Sequence, residues 1–269
     1  GQYPPGSVFK IITALAALEE TVITPDTAFS CPGHFSFGNR DYHCWKKEGH
    51  GRVELKRAIV ESCDVYFYQV GLRLGVDRIA KYSFGLGLGK PTGYPLGQEK
   101  PGLVPTSAWK LKRFRIPWQA GETLSVAIGQ GFNLATPLQI AASISALFNG
   151  GKYFQPRIVQ TVRSPDGELL KEFPPLVTRN LHYNSQNVEF IREALWGVVN
   201  GPGGTGARAK VQGFDVAGKT GTSQVIQKRE GRSDAHIPEF QDHAWFACFA
   251  PARNPENTVV AFVEHGGGG

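Results

Sequence analysis

The distribution of hydrophobic residues along this 269-residue chain changes from helix-like to strand-like. Runs rich in apolar residues and helix formers lie mainly in the first 200 positions. The predicted helices cover about residues 8–20, 54–74, 76–83, 137–149 and 186–200. Gly85 to Pro105 is rich in glycine and proline and contains no repeats, so we interpret it as a connection between helices.

Strand signals dominate from Gly213 onward. The predicted strands are Asp215–Ala217, Thr220–Ile226, His243–Phe249 and Thr258–Glu264. Short strands are also expected between Pro156 and Pro175, around the turn Ser164-Pro-Asp-Gly167. Late strands together with a helical middle predict an α+β fold, in which an antiparallel sheet is flanked by helices and accompanied by a helical lobe. An active site is expected between the sheet and that lobe.

Composition shows that the chain can bury a substantial core. With 41% hydrophobic residues, 269 positions fit one large domain or two joined lobes. The sequence has no methionine, so we expect a fragment or a processed product. It contains no apolar run of about 18 residues, so none of these segments is expected to span a membrane.

The charge of the chain is basic, with a net value of +6 and a pI near 9.1. This balance would suit an anionic surface. The densest basic stretch, Lys110 to Arg115, is short and is followed by Ile-Pro-Trp. We interpret it as a solvated loop or a membrane-facing patch, and we expect no nucleic acid as a partner.

A first candidate for chemistry stands at the beginning of the first predicted helix. Pro4, Pro5 and Gly6 form a turn signal, Ser7 follows at the helix N-terminus, and Lys10 lies one turn later on the same face. An amine in that position can remove the hydroxyl proton of the serine, while helix-end N–H groups favour developing negative charge. The alternative is an ordinary serine cap beside an exposed lysine.

Two further motifs follow in order. Ser62-Cys63-Asp64 lies within the second predicted helical run, and Lys219-Thr220-Gly221-Thr222 lies in a predicted strand. Serine-x-x-lysine, then serine-x-acid or amide, then lysine-threonine-glycine is the signature of penicillin-recognising serine enzymes. Each motif alone occurs by chance, but the ordered set at these separations indicates acyl transfer through a serine.

Cysteines and a histidine form a second group of chemical interest. Cys31, Cys44, His50 and Cys63 are separated by 13, 6 and 13 positions. Three thiols and one imidazole make a closed tetrahedral set for structural zinc. A Cys31–Cys44 disulfide is the alternative, with Cys63 and Cys248 as buried thiols. The neighbouring histidines, 34 and 43, are alternatives to His50 as the fourth ligand.

Over essentially the whole chain, the sequence resembles the transpeptidase domain of class B penicillin-binding proteins. The resemblance is carried by the three motifs together with Tyr3 to Lys10 as a whole, Gly129-Gln-Gly131 and Ala135-Thr-Pro-Leu-Gln139. Its elongation-type members, the penicillin-binding protein 2 group, are the most similar. The segments that carry this finer resemblance are Trp45-Lys-Lys, Gly49-His-Gly51, Lys112-Arg-Phe114 and Pro117-Trp118. The resemblance implies one transpeptidase domain over residues 1–269, of the fold shared by penicillin-binding proteins and serine β-lactamases. An N-terminal pedestal with a membrane anchor, and a C-terminal end, would lie outside it.

The resemblance also implies a role for each motif residue. Ser7 would attack the penultimate D-Ala carbonyl of a peptidoglycan stem peptide, Lys10 would accept its proton, and Ser62 would relay a proton to the leaving D-Ala. Asp64 would orient Lys10, although many relatives carry Asn there, and an ionised carboxylate cannot donate to substrate as an amide does.

The third motif would hold the substrate. Lys219 would supply positive charge, Thr220 and Thr222 would bind the terminal carboxylate, and Gly221 would allow the strand to lie close to it. The N–H groups of Ser7 and Thr222 would form the oxyanion hole. No cofactor is implied for catalysis, whereas some elongation-type relatives are expected to hold a metal at the four Cys/His positions.

The implied function is cross-linking of stem peptides that end in D-Ala-D-Ala during cell-wall elongation, with inhibition by β-lactams. The implied partners are a membrane-embedded glycosyltransferase and other elongation-complex proteins, at the periplasmic face of the bacterial cytoplasmic membrane. Three alternatives remain at this point. A D,D-carboxypeptidase and a serine β-lactamase use water as the acceptor, and a β-lactam sensor or scaffold would have no catalytic turnover.

Overall fold

The computed structural model describes residues 1–224 and 241–269. Within these ranges the helices are α1 (Lys10–Glu19), α2 (Leu55–Val60), α3 (Asp64–Leu74), α4 (Val76–Gly85), α5 (Ser107–Phe114), α6 (Ala120–Ala127), α7 (Pro137–Phe148) and α8 (Ser185–Asn200). Two short 3₁₀ helices cover Gly6–Phe9 and Ala207–Ala209. The first of them runs directly into α1, so Ser7 and Lys10 lie on one continuous helical segment.

Short strands precede the main sheet along the chain. They are β1 (Ala28–Cys31), β2 (His34–Phe37), β3 (Arg40–His43), β4 (Gly51–Glu54), β5 (Lys152–Phe154), β6 (Thr161–Arg163), β7 (Leu169–Glu172) and β8 (Val177–Asn180). They pair in antiparallel twos: β1 with β4, β2 with β3, β5 with β8 and β6 with β7. Cys31 ends β1, Cys44 follows β3 and His50 precedes β4, so these three residues lie within the segment from β1 to β4.

In the part of the chain that the structure describes, the main sheet has three antiparallel strands in the order β11-β10-β9. They are β9 (Ala217–Ser223), β10 (His243–Ala250) and β11 (Asn257–Val263). Trp245 on β10 lies opposite Gly221 on β9 and Phe262 on β11. Alternate residues of β10 are buried, as a strand with one face on the core requires. This register places the Lys219–Thr222 motif at the edge strand of the described sheet.

Helix α1 is the centre of the core. Every residue from Lys10 to Leu18 is buried, and the helix contacts α3, α4 and α8. A helix that is apolar on all sides is stable only when it is enclosed by other elements. The α+β prediction is therefore confirmed, with helices packed on an antiparallel sheet.

Several predicted elements are confirmed and others need correction. The helices expected over 8–20, 76–83, 137–149 and 186–200 are present as α1, α4, α7 and α8, and the predicted turn at Ser164–Gly167 joins β6 to β7. The strand expected at Asp215–Ala217 is wrong, because β9 is one strand that starts at Ala217. The last two residues of the strand predicted over 220–226 lie outside the described residues.

The helix predicted over 54–74 is interrupted. It ends as α2 at Val60 and restarts as α3 at Asp64, because Ser62 adopts a left-handed conformation with φ of 56°. Cys63 caps the new helix, since its sulfur accepts a hydrogen bond from the backbone N–H of Tyr66. Because of this break, the second motif lies in a tight turn between α2 and α3 and not inside a helix.

The basic stretch 110–115 is mostly helix rather than loop. It belongs to α5, whose N-terminus is capped by the Thr106 hydroxyl on the N–H of Trp109. Lys110 is buried and forms an ion pair with Glu122 of α6, whereas residues 111–117 are exposed. Among the described residues, none of the helices combines the length and the hydrophobicity of a membrane span.

Candidate active site

Ser7 is positioned by the backbone on both sides of it. The Gly6 N–H donates to the Gly129 carbonyl at 3.0 Å, and Tyr3 forms a short antiparallel bridge with Ala135. On the opposite side, the Pro4 carbonyl accepts from Trp245 Nε1 at 3.0 Å and from the Ser223 hydroxyl. The segment from Tyr3 to Gly6, hereafter the N-terminal strap, is thus fixed between the Gly129 loop and the main sheet.

Gly6 brings the strap close to β9. Its φ is 54°, and a Cβ at this position would lie 2.4 Å from the Thr222 carbonyl oxygen. Gly129 is equally constrained, since a Cβ added at this position would lie 2.2 Å from the Gly6 carbonyl oxygen. Only glycine fits at these two contacts. The backbone next to half-buried Ser7 therefore lies against the backbone of Thr222, as an oxyanion hole built from their N–H groups requires.

Lys10 brings the first two motifs together. Its side chain is fully buried, and its Nζ donates to Asp64 Oδ1 at 2.7 Å, to the Ser62 carbonyl at 2.8 Å and to Ser62 Oγ at 3.2 Å. Asp64 is the charged partner in this set, and a charge-assisted hydrogen bond is stronger than a neutral one. The geometry gives a serine hydroxyl and an amine in direct contact, one helical turn from Ser7.

The turn that carries Ser62 is supported by Trp45, a residue to which the motifs assign no role. Trp45 donates its backbone N–H to Asp64 Oδ2 at 3.0 Å. Its indole N–H is shared between the carbonyls of Glu61 and Ser62, at 3.0 and 3.1 Å. Trp45 therefore contacts both ends of the second motif.

Lys219 is fully buried on β9, and its Nζ donates to the Thr220 carbonyl at 3.2 Å. Burial and, secondarily, the charge of Lys10 hold the pKa of Lys219 well below its usual range, while Asp64 opposes this shift. The two lysines therefore belong to one electrostatic cluster around Asp64. Burial and the charge of Lys10 therefore disfavour the positive charge that was expected on Lys219.

The other residues of the third motif also lie on β9. Thr220 Oγ1 lies 2.8 Å from Thr205 Oγ1, and the Thr222 carbonyl accepts from Gln130 Nε2 at 3.0 Å. Gly221 is needed for packing, because its Cβ would lie 2.9 Å from Val8 Cγ2. Thr205 lies in a glycine-rich segment that indicates only a tight turn, so the sequence carries little signal for its contact with Thr220.

The cysteine cluster lies directly behind the second motif. The ligand atoms of Cys31, Cys44, His50 and Cys63 are buried and lie within 4.8 Å of one another. His50 Nδ1 is 3.5 Å from the sulfurs of both Cys31 and Cys44. A tetrahedral zinc with bonds of about 2.3 Å to sulfur and about 2.0 Å to nitrogen places its nitrogen and sulfur ligands roughly 3.5 Å apart. The donor set therefore fits a closed, structural metal site.

Two thiols of the cluster share a hydrogen bond, and their pKa values shift in opposite directions. The hydrogen bond between Cys63 and Cys44 lowers the pKa of Cys44 to about 5, whereas the same hydrogen bond and burial raise the pKa of Cys63. The cysteines at 31, 44, 63 and 248 are free thiols, so the alternative Cys31–Cys44 disulfide is absent from the described residues. Cys248 lies on β10, outside the cluster.

The alternative ligands among the histidines lie elsewhere. His34 and His43 face each other across the β2–β3 hairpin, and both are exposed. His50 is the imidazole of the cluster, and its buried Nε2 has no hydrogen-bond partner among residues 1–224 and 241–269. The nearest acid is Glu61, whose Oε2 lies 3.9 Å away.

Comparison with known proteins places this geometry in a family. The family described as penicillin binding protein transpeptidase domain matches residues 1–269. Peptidoglycan D,D-transpeptidase MrdA of Haemophilus influenzae is 39% identical over 279 residues, covering 100% of this chain and 42% of the relative. The chain thus spans less than half the length of that curated relative.

Two solved structures share the fold over nearly the whole chain. Pseudomonas aeruginosa PBP2 in complex with WCK 5153 superposes with a TM-score of 0.83 at 34% identity, covering 99% of this chain and 57% of that one. Helicobacter pylori PBP2 in its complex with MreC gives 0.84 at 35% identity, covering 100% and 47%. The resemblance read from the motifs is confirmed, and the chain belongs to the penicillin-binding protein transpeptidase domain family.

Proposed function

We propose that this chain is the catalytic domain of a peptidoglycan D,D-transpeptidase that cross-links stem peptides during cell-wall elongation. The observation that carries the proposal is the contact of Lys10 Nζ with both Ser62 Oγ and Asp64, one turn beyond Ser7. The name of the Haemophilus influenzae relative supports the same reaction. All the chemistry is assigned to side chains and backbone, with no cofactor.

The reaction would proceed in two acyl transfers. Ser7 Oγ attacks the penultimate D-Ala carbonyl carbon, and its proton passes to Lys10 Nζ, which acts in this step in its neutral amine form. The bond to the terminal D-Ala nitrogen then breaks, and that nitrogen receives a proton through Ser62 Oγ, which lies 3.2 Å from Lys10 Nζ. An amine of a neighbouring stem peptide attacks the resulting ester, loses its proton by the same route, and restores Ser7.

Backbone and β9 side chains would hold the substrate during both steps. The N–H groups of Ser7 and Thr222 stabilise the oxyanion, and the close contact of Gly6, the residue before Ser7, with the Thr222 backbone supports this assignment. Thr220 and Thr222 bind the terminal carboxylate, and Gln130 fixes the Thr222 carbonyl. Asp64 orients Lys10 and donates nothing to the substrate. A β-lactam imitates the D-Ala-D-Ala end and acylates Ser7 in the same way.

A time course of intact mass after addition of benzylpenicillin tests this proposal. We expect a stable one-to-one adduct in the protein and none in Ser7→Ala. An adduct that disappears within seconds would favour a β-lactamase, and its absence would favour a scaffold. A D,D-carboxypeptidase is separated by supplying a stem-peptide donor and an amine acceptor, since it would release free acid without a cross-linked product.

We also propose that the whole protein acts at the periplasmic face of the cytoplasmic membrane, held by an anchor outside this chain. The complex of Helicobacter pylori PBP2 with MreC supports partners of the elongation machinery, and a membrane-embedded glycosyltransferase is proposed among them. Fractionation and co-purification from cells making the whole protein test both points. Recovery from the cytoplasm, or without any such partner, would contradict them.

We infer that Cys31, Cys44, His50 and Cys63 hold a structural zinc ion. The support is the buried three-thiol, one-imidazole set with nitrogen–sulfur separations of 3.5 Å. Bound there, zinc would fasten the β1–β4 segment against the second motif. We expect native mass spectrometry to show one zinc per chain, and His50→Ala to lower both the melting temperature and the acylation rate.

A matched control is Cys248→Ala, which removes a thiol outside the cluster and should leave the zinc content unchanged. Unchanged melting of His50→Ala would contradict the structural role. Zinc absent from the native protein would contradict the metal assignment while leaving the acyl-transfer proposal intact.

A further inference from the structure

The three acceptors around Lys10 Nζ come from one short corner of the chain. Ser62 supplies its carbonyl and hydroxyl oxygens, and Asp64 supplies a carboxylate oxygen. Ser62 holds this corner in the left-handed region, with φ of 56°. A serine keeps that conformation only where its surroundings hold it. The position of the acceptors around Lys10 therefore depends on whatever fixes the corner.

Trp45 contacts the corner at both of its ends. The backbone N–H of Trp45 binds Asp64 Oδ2 while Lys10 binds Oδ1, so the carboxylate is held on both oxygens. The indole N–H binds the carbonyls of Glu61 and Ser62, on the residues that form the left-handed turn. The Ser62 carbonyl thus accepts from the indole and from Lys10 together.

Core packing does not account for this arrangement. Trp45 is 58% exposed, so most of its large ring contributes little burial energy. The residue is fixed instead by its neighbours, since it follows buried Cys44 and its ring lies edge-on to His50, with 5.6 Å between centroids. Its two N–H groups are therefore presented to the corner by the loop that carries the cysteine cluster.

We propose that Trp45 is a positioning residue for acylation of Ser7: its indole N–H holds the Ser62 turn and, through it, the oxygens that orient Lys10. This inference rests on the acyl transfer proposed above. It assigns Trp45 an effect on the chemical step rather than on β-lactam affinity, because its hydrogen bonds and ring contact within the described residues are with Glu61, Ser62, Asp64 and His50 and not with Ser7 or β9.

The test is Trp45→Phe, which keeps an aromatic ring and the backbone N–H but removes the indole donor. Stopped-flow acylation by a chromogenic cephalosporin separates the acylation rate constant from the dissociation constant of the initial complex. We expect the rate constant to fall about five- to tenfold, the loss typical of one hydrogen bond, with little change in the dissociation constant. Titration of acylatable sites confines the measurement to folded molecules.

Trp196→Phe is the matched control. Trp196 lies on α8, its ring is also exposed, and its indole N–H donates to Asp215 Oδ1 at 2.6 Å. It should acylate at the native rate. A rate constant for Trp45→Phe within twofold of native would overturn the inference. So would a change confined to the dissociation constant, which would mean that the ring contacts the ligand. Failure of the native protein to acylate would instead refute the proposed function.

Discussion

Replacing Gly6 by alanine tests whether the contact between the N-terminal strap and β9 sets the geometry of acylation. The added Cβ would lie 2.4 Å from the Thr222 carbonyl oxygen, whereas real Cβ contacts are essentially never under 3.0 Å. The strap and β9 must therefore move apart by several tenths of an ångström. Because Gly6 directly precedes Ser7 and the contact is with Thr222 itself, the movement would displace the two residues whose N–H groups form the proposed oxyanion hole.

Two costs are expected from this substitution. An alanine with φ of 54° is strained by about 1–2 kcal/mol in the left-handed region, equivalent to roughly 2–8 °C in melting temperature. Misplacement of the oxyanion-hole residues should also slow acylation, because a displacement of 1 Å in an active site lowers the reaction rate about 100-fold. With a smaller displacement we expect a loss of about tenfold to 100-fold in the rate of labelling by a fluorescent penicillin.

Gly38→Ala separates these two costs. Gly38 lies in the β2–β3 turn with φ of 63°, and its Cβ would meet nothing within 4 Å. It should show the conformational strain in a urea or thermal melt but acylate at the native rate. The reasoning is refuted if Gly6→Ala acylates within threefold of native, or if Gly38→Ala slows acylation equally.

Two further substitutions test β9. Thr205→Val removes the hydroxyl beside Thr220 and should weaken β-lactam acylation about fivefold without changing melting, the loss expected for one hydrogen bond. Thr178→Val, which loses a remote bond to the Tyr153 carbonyl, is its control, and equal effects would contradict the assignment. Lys219→Met should abolish activity yet stabilise the fold at pH 7. Because the folded-state pKa of Lys219 is lowered, the unfolded chain binds the proton more readily, so this gain in urea midpoint should shrink as pH rises towards about 10. A variant less stable at both pH values would refute this.

The sequence predicted the components of the site better than their arrangement. Ser7, Lys10, Ser62 and Lys219 are recognised because their chemistry depends on residue type and short spacing. The break at Ser62 is not visible, because the run over 54–74 is continuously helix-like and the left-handed turn depends on contacts with Lys10 and distant Trp45.

Other misses have local causes. Helix α5 was hidden by its basic composition, although the Thr106 cap three residues before Trp109 is a readable start signal. Helix α6 likewise begins with a capping box between Gln119 and Glu122. The contact of Thr205 with Thr220 joins a turn to a strand, and no local pattern encodes such a pairing.

The N-terminal strap has a consequence for the order in which the protein folds. The Pro4 carbonyl is held by Ser223 and Trp245, which are 219 and 241 positions away along the chain. Contacts between such distant positions form late, because closing the intervening loop is entropically unfavourable. The strap, and with it Ser7, can reach its final position only after β9 and β10 have assembled. Covalent labelling by a penicillin would therefore count molecules that have completed folding, and partly folded chains would remain unlabelled even with α1 already formed.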